Sequence, residues 1–271
     1  MDGRSMESNK EYYLERVKSD SYHRDPDHTK VAREFYAKFW GQSLSGKIED
    51  YDGSVGNYRG DTIISFTTTA GCLIRLLPAY PDDIVMPKYK RQRLAIIKKS
   101  NYVPQSIKKQ LEILYQSYHS RANFMPLAHE KWYHRPTINL NKAKGSAMGK
   151  YHDYPDLFFR DIKELQYSST STAESMPLVF ESEINQLYFE RFENWKSFVE
   201  KNYLQDYFSD RNYEKFIQLA PTSDNMPYRK RKLSAQDREE CILQIEQFLE
   251  NANIIIDKRA SRLRAAEEKF H

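Results

Sequence analysis

The chain has 271 residues, 39% hydrophobic and 30% charged, with a formal net charge of +4. That length suits one large domain or two closely packed ones, and no stretch approaches the about 18 uncharged apolar residues of a membrane span, so a soluble protein is expected. Nine Gly against 20 Tyr, 14 Phe and 3 Trp are too few glycines for a turn-rich all-β fold and too many aromatics for disorder. The expectation is an α+β chain, mostly α, bundle-like, with a small irregular central region of short strands.

In chain order, residues 1–28 read as a polar arm or a short helix, closed by Asp25-Pro26-Asp27. Val31, Ala32, Phe35, Tyr36, Phe39 and Trp40 recur at helical spacing, with Asp27 or Thr29 as cap and Gly41 as stop. Thr62–Thr69 is β-branched enough for a strand, while Thr67–Thr69 can cap a helix over Ala70–Leu77. Pro104 opens an amphipathic helix whose Ile107, Leu111, Leu114, Tyr115 and Tyr118 share a face. Asn123–Lys150, with Pro126, Pro136, Gly145 and Gly149, reads as irregular with one or two short strands. A further helix starts near Asp153-Tyr154-Pro155-Asp156, with helix-start carboxylates complementing its dipole.

Ser168–Ser175 is a Ser/Thr-rich linker, dividing a central basic region over 29–167 from a C-terminal helical region over 176–271 packed on it, unless the two form one domain. Past the linker, Ile184, Tyr188, Phe192, Trp195 and Val199 share a helical face, and a shorter aromatic helix is expected over Tyr213–Leu219. The last helix starts near Ala235, capped by Ser234 with Asp237 three residues on. Its apolar line of Cys241, Ile245, Phe248, Leu249, Ala252, Ile256 and Leu263 predicts about 30 residues.

The charge is unevenly distributed. Between Lys88 and Lys150 there are 14 Lys or Arg against Glu112 and Glu130, a local excess of +12 that leaves −8 for the rest of the chain. Lys88, Lys90, Arg91, Arg93, Lys98, Lys99, Lys108 and Lys109 form an acid-free run, with Tyr89, Tyr102, Tyr115, Tyr118, Asn101 and Gln105 interleaved with it or close by. Those residue types hold phosphates and stack on bases. DNA or RNA is therefore one expected partner. The competing reading is a solvated face on an interaction protein, an inhibitor or complex subunit whose aromatic seams and long last helix serve a protein partner. The run Arg229-Lys230-Arg231-Lys232 reads as exposed linker.

Chemistry has fewer carriers. No Walker A, GxGxxG, GxSxG or kinase-like string occurs. His129 and His134 stand at i, i+5 and miss the one-face registration of zinc-binding histidines, so no metal or other cofactor is expected. Cys72 and Cys241 are far apart, flanked by apolar residues and without a partner motif; no apolar leader follows Met1. Buried thiols in a reduced, cytoplasmic setting are expected. The catalytic candidates are Arg59, Asp61, His119 and Asn123: Arg59 to hold an anion, His119 to move a proton, Asn123 to fix the loop. The bland alternatives are a turn at Gly60 with Asp61 or Thr62 as a cap, and Asn123 bonding the orphan carbonyls of a helix end.

Tyr58-Arg59-Gly60-Asp61-Thr62 with Ser65-Phe66, Ala122-Asn123-Phe124-Met125-Pro126-Leu127, and Tyr154-Pro155-Asp156-Leu157-Phe158-Phe159 resemble strings of a bacterial family of unknown function, which brings no activity. His119-Ser120-Arg121-Ala122-Asn123-Phe124-Met125-Pro126-Leu127, followed by Asn139, Asn141 and Lys144, is similar to the second half of the His-Asn-His nucleases of modification-dependent restriction and other defence proteins. The resemblance implies a bacterial or phage conflict setting and a preceding strand that ends in a metal-activated base histidine. The nearest such segment is Asp82-Asp83-Ile84-Val85-Met86-Pro87, where Asp83 stands in place of the histidine. A degenerate scaffold that binds without cutting is what this implies.

Overall fold

The computed structural model describes residues 10–19, 26–44, 60–78, 86–87, 89–127, 129–130, 135–136, 155–167, 188–219 and 234–270. Arg59, Asp83, Lys88, His134, Asn139, Asn141, Lys144, the linker at 168–175 and the run at 229–232 lie outside them. The helices are α1 (Lys10–Leu14), α2 (Lys30–Leu44), α3 (Phe66–Leu76), α4 (Lys90–Lys99), α5 (Gln105–Ser117), α6 (Pro155–Gln166), α7 (Trp195–Lys201) and α8 (Ala235–Glu267). Strand β1 (Gly60–Thr62) pairs antiparallel with β2 (Phe124–Pro126), and β3 (His129–Glu130) with β4 (Arg135–Pro136). The chain is α+β and mostly α.

Helix α8 is the spine. The Ser234 hydroxyl accepts from the Asp237 amide at 3.0 Å and the Asp237 carboxylate accepts from the Ser234 amide at 3.3 Å, the expected reciprocal cap. Its 33 residues span about 50 Å. Cys241, Ile245, Phe248, Leu249, Ala252, Ile256 and Leu263 are all buried along it, and Arg259 and Glu267 share the buried side. Asn253 fixes it to α5 by donating to the Gln110 carbonyl (3.0 Å) and side-chain oxygen (2.7 Å). Lys10 reaches Asp257 and the Tyr13 hydroxyl donates to Glu267, so α1 docks on the spine. Burial and the Glu267 carboxylate push the Tyr13 phenol far up, keeping it protonated as donor.

Thr29 caps α2, its hydroxyl accepting from the Ala32 amide at 3.3 Å. The helix runs through Gly41 to Leu44, past the expected stop, because Phe35, Tyr36, Phe39 and Trp40 are buried together and Trp40 Nε1 donates to the Lys201 carbonyl at 2.8 Å. Docking of that order exceeds the about 1 kcal/mol that a helical glycine costs. Ser65 caps the Thr67 amide at 3.1 Å, which starts α3 at Phe66 and confines the strand to Gly60–Thr62.

Ile184 lies outside the described residues; Tyr188, Phe192, Trp195 and Val199 are buried, but not on one helix, since Asn194 caps α7 as a separate helix through its bond from the Ser197 amide. The expected helix over Tyr213–Leu219 is absent. Asp210 accepts from the Glu214 and Lys215 amides at 3.0 and 2.7 Å, Tyr213 adopts φ 58°, and Phe216 bridges to Phe208. A side chain that captures backbone amides competes directly with helix formation. Cys72 and Cys241 are both buried, and neither is in a disulfide. Among the described residues no helix is long and apolar enough to cross a membrane, and no cluster of three metal-ligating side chains occurs.

Candidate nucleic-acid interface

Helix α4 is short and carries no acidic residue. Leu94 and Ile97 anchor its inner side, with Val103 buried just beyond its end. Its first turn opens with Lys90 and Arg91 and no carboxylate, the arrangement that the helix dipole disfavours by about 0.3–1 kcal/mol per charge. Arg91, Lys98 and Lys99 are exposed on it, and Lys109 is exposed on α5, with Lys108 half-buried. Tyr89 before α4 and Tyr102 after it are 55% and 63% exposed, so an open aromatic ring stands at each end of the basic helix.

The seven described basic residues of the run do not play one part. Arg91, Lys99, Lys108 and Lys109 make no ion pair among the described residues. Lys98 pairs with Glu112 at 2.7 Å across an exposed surface, a contact worth little in water. Arg93 instead ties α4 down, donating from Nε to the Pro87 carbonyl at 2.8 Å and from Nη1 to the Thr67 carbonyl at 2.9 Å. Lys90 turns inward as well: its ammonium lies 3.4 Å from His119 Nε2 and 4.7 Å from the centre of the Tyr118 ring.

His119 is buried. Its ring lies against Tyr118 with centroids 3.9 Å apart, and Nδ1 has no hydrogen-bond partner among the described residues. Burial, then the Lys90 ammonium, then Arg16 hold its pKa well below the usual imidazole range, so the ring is neutral and Nε2 accepts from Lys90. Arg16 completes the cluster, donating to the Tyr118 hydroxyl at 3.3 Å and lying 4.6 Å from the Tyr115 ring centre. Two cations beside the imidazole make this a poor place for a divalent metal, which bears on the nuclease resemblance. The unfolded chain protonates His119 near the ordinary pKa of about 6.5 while the fold resists it. Stability is therefore expected to fall as pH drops below about 6.5, by up to about 1.4 kcal/mol per unit, and His119→Gln is expected to remove that slope in urea titrations at successive pH values.

The remaining catalytic candidates are woven into backbone. Asn123 is fully buried; its Oδ1 accepts from the Ile64 amide at 2.9 Å, and Nδ2 donates to the Ile64 and Tyr118 carbonyls at 2.8 Å each. It therefore satisfies a carbonyl at the end of α5 and staples that end to the β1–α3 turn. Asp61 lies in β1 opposite Met125, accepting from the Thr62 amide at 2.7 Å, rather than capping a helix. Thr62 Oγ1 bonds the buried Asp27 at 3.1 Å. His119 and Asn123 lie four residues apart on one turn but serve different partners.

Arg259 is the residue that sequence reading passed over. It is fully buried and faces four carbonyls: Tyr203 at 3.0 Å, Asn202 at 3.1 Å, Ala122 at 2.6 Å and Phe124 at 2.8 Å. Burial pushes its pKa down to about 10, which leaves it charged at neutral pH. The signal was present in the spacing, since Arg259 continues the apolar line Ala252, Ile256 and Leu263 as the one charged member. No protein-family model, curated protein or solved structure matches this chain, so the functional reading stands on these residues.

Proposed function

We propose that α4 and the start of α5 bind a nucleic-acid backbone, with a preference for single-stranded segments. One observation carries the reading: an acid-free basic helix, whose first turn sets Lys90 and Arg91 against its dipole, with an exposed tyrosine at each end. Arg91, Lys99 and Lys109 neutralise phosphates, and Tyr89 and Tyr102 offer faces on which unpaired bases stack. Lys90 and Arg93 position the helix. In the His-Asn-His resemblance this is binding without cutting, in a bacterial or phage conflict setting: Asp83 stands where the base is needed, and His119 sits between cations.

Replacing Arg91, Lys99 and Lys109 together with Gln should leave the melting temperature unchanged and reduce the slope of log affinity against log salt on single strands by about two units. Tyr102→Ala should weaken binding without altering that slope. An unchanged slope in the triple variant removes this surface from the interface. The second reading, a protein partner, draws on α8, where exposed Leu243 and Ile254 are eleven residues apart and so share a helical face. Binding of a protein that survives high salt and is lost in Leu243→Glu would favour it.

A further inference from the structure

A cavity of about 250 Å³ opens between α3 and α4, lined among the described residues by Thr67, Thr68, Gly71, Arg75, Met86 and Arg93, with the buried Cys72 beside them. Its floor includes a glycine in mid-helix. Among the described residues, a Cβ placed on Gly71 would meet two neighbours, Arg75 Nη1 and Arg93 Nη1, each at 3.6 Å. That is ordinary contact, so no described neighbour requires the glycine, although it weakens α3 relative to alanine. The same two distances show that both guanidinium groups converge on one point above bare backbone, no further apart than about twice that separation.

The Arg93 guanidinium is held in place by the Thr67 and Pro87 carbonyls. Arg75 is exposed and makes no ion pair among the described residues, and no carboxylate among them lines the cavity. Two planar cationic forks with the half-buried hydroxyl residues Thr67 and Thr68 form a donor set for a tetrahedral oxyanion. The volume lies just below the about 300–1,000 Å³ of pockets that enclose whole drug-sized ligands, which suits a phosphate group with a small appendage. We infer that this cavity seats a phosphomonoester group, with Arg75 and Arg93 clasping its oxygens over Gly71. The inference goes beyond the nucleic-acid reading, because Arg93 and Arg91 are two residues apart and so stand on nearly opposite sides of α4.

The test is thermal unfolding in inorganic phosphate against chloride at matched ionic strength. The wild-type midpoint should rise with phosphate, and Arg75→Gln should lose that rise. Gly71→Ala should melt higher than wild type without phosphate yet gain less from it, a pairing that a merely structural glycine would not give. An equal phosphate effect in wild type and Arg75→Gln, or none in wild type, overturns the proposal. The source of the group follows from 5′-phosphorylated and 5′-hydroxyl tetranucleotides. At least tenfold tighter binding of the phosphorylated form, erased by Arg75→Gln, assigns a nucleic-acid end. Equal affinities beside a retained phosphate effect assign a free phosphate ester. Loss of salt-dependent binding in the Arg91, Lys99 and Lys109 variant leaves these outcomes untouched, so the two readings fail separately.

Discussion

Arg259→Met is expected to lower the unfolding free energy by at least about 3 kcal/mol. The substitution keeps an unbranched stem of similar length along the apolar line of α8 but strips the donors from the carbonyls of Ala122, Phe124, Asn202 and Tyr203. A buried acceptor left without a partner costs about 1–3 kcal/mol, and bonds to a charged group are the stronger kind. Local relaxation and entering water recover part of the total, so the loss is set well below four full penalties. Arg259→Lys should fall between the two, because one ammonium reaches fewer of the four carbonyls than a guanidinium fork. Urea unfolding of the three proteins measures this directly. A methionine variant within about 1 kcal/mol of wild type would mean that water substitutes for the guanidinium at little cost.

Gly60→Ala is expected to cost at least about 3 kcal/mol, at the upper end of overpacking penalties. The added Cβ would fall 2.3 Å from the Met125 carbonyl oxygen and 2.4 Å from the Tyr36 ring. Neither obstacle can step aside. Met125 is the β2 partner of Asp61, and Tyr36 is fully buried with its hydroxyl donating to the Asp27 carbonyl at 3.1 Å. The strand pair must open instead, and His28, whose Nε2 lies 3.2 Å from the Gly60 carbonyl, moves with it. The expected result is an early thermal midpoint with loss of amide protection at Asp61 and Met125. An alanine variant that melts with wild type would show that β1 can shift without losing β2.

How far the fold could be read from sequence depended on how local its causes are. The long last helix was legible because Ser234, Asp237 and the recurring apolar residues all act within a few turns of one another. The same holds for α5, whose Ile107, Leu111 and Leu114 are buried as spaced. The passage of α2 through Gly41 was not legible, since the Trp40 bond that favours it ends at Lys201. Nor was the irregular path at Tyr213–Leu219, where an aspartate three residues upstream takes the amides that a helix would need. The basic surface was legible as charge, but its division of labour was not. Nothing in the order of residues separates Arg91, left in solvent, from Arg93, bound to carbonyls of two other segments. Asn123 was legible as a helix-end partner, while its bonds to Ile64 depend on a segment 59 residues away.

The position of α8 has a consequence for how the protein is made. Its contacts reach back 137 residues to Ala122 and 254 to Tyr13, and every element it satisfies leaves the ribosome before it does. At about 5–20 residues per second, the carbonyls of Ala122 and Phe124 wait on the order of ten seconds for Arg259 to be synthesised. Throughout that interval the inner faces of α1, α3 and α5 lack the helix that covers them, and the short β1–β2 pair lacks its buttress. The polypeptide therefore completes its core only after translation has passed α8. Until α8 emerges, the apolar faces that it buries stay open to water, so closure of the core is tied to the synthesis of this one helix.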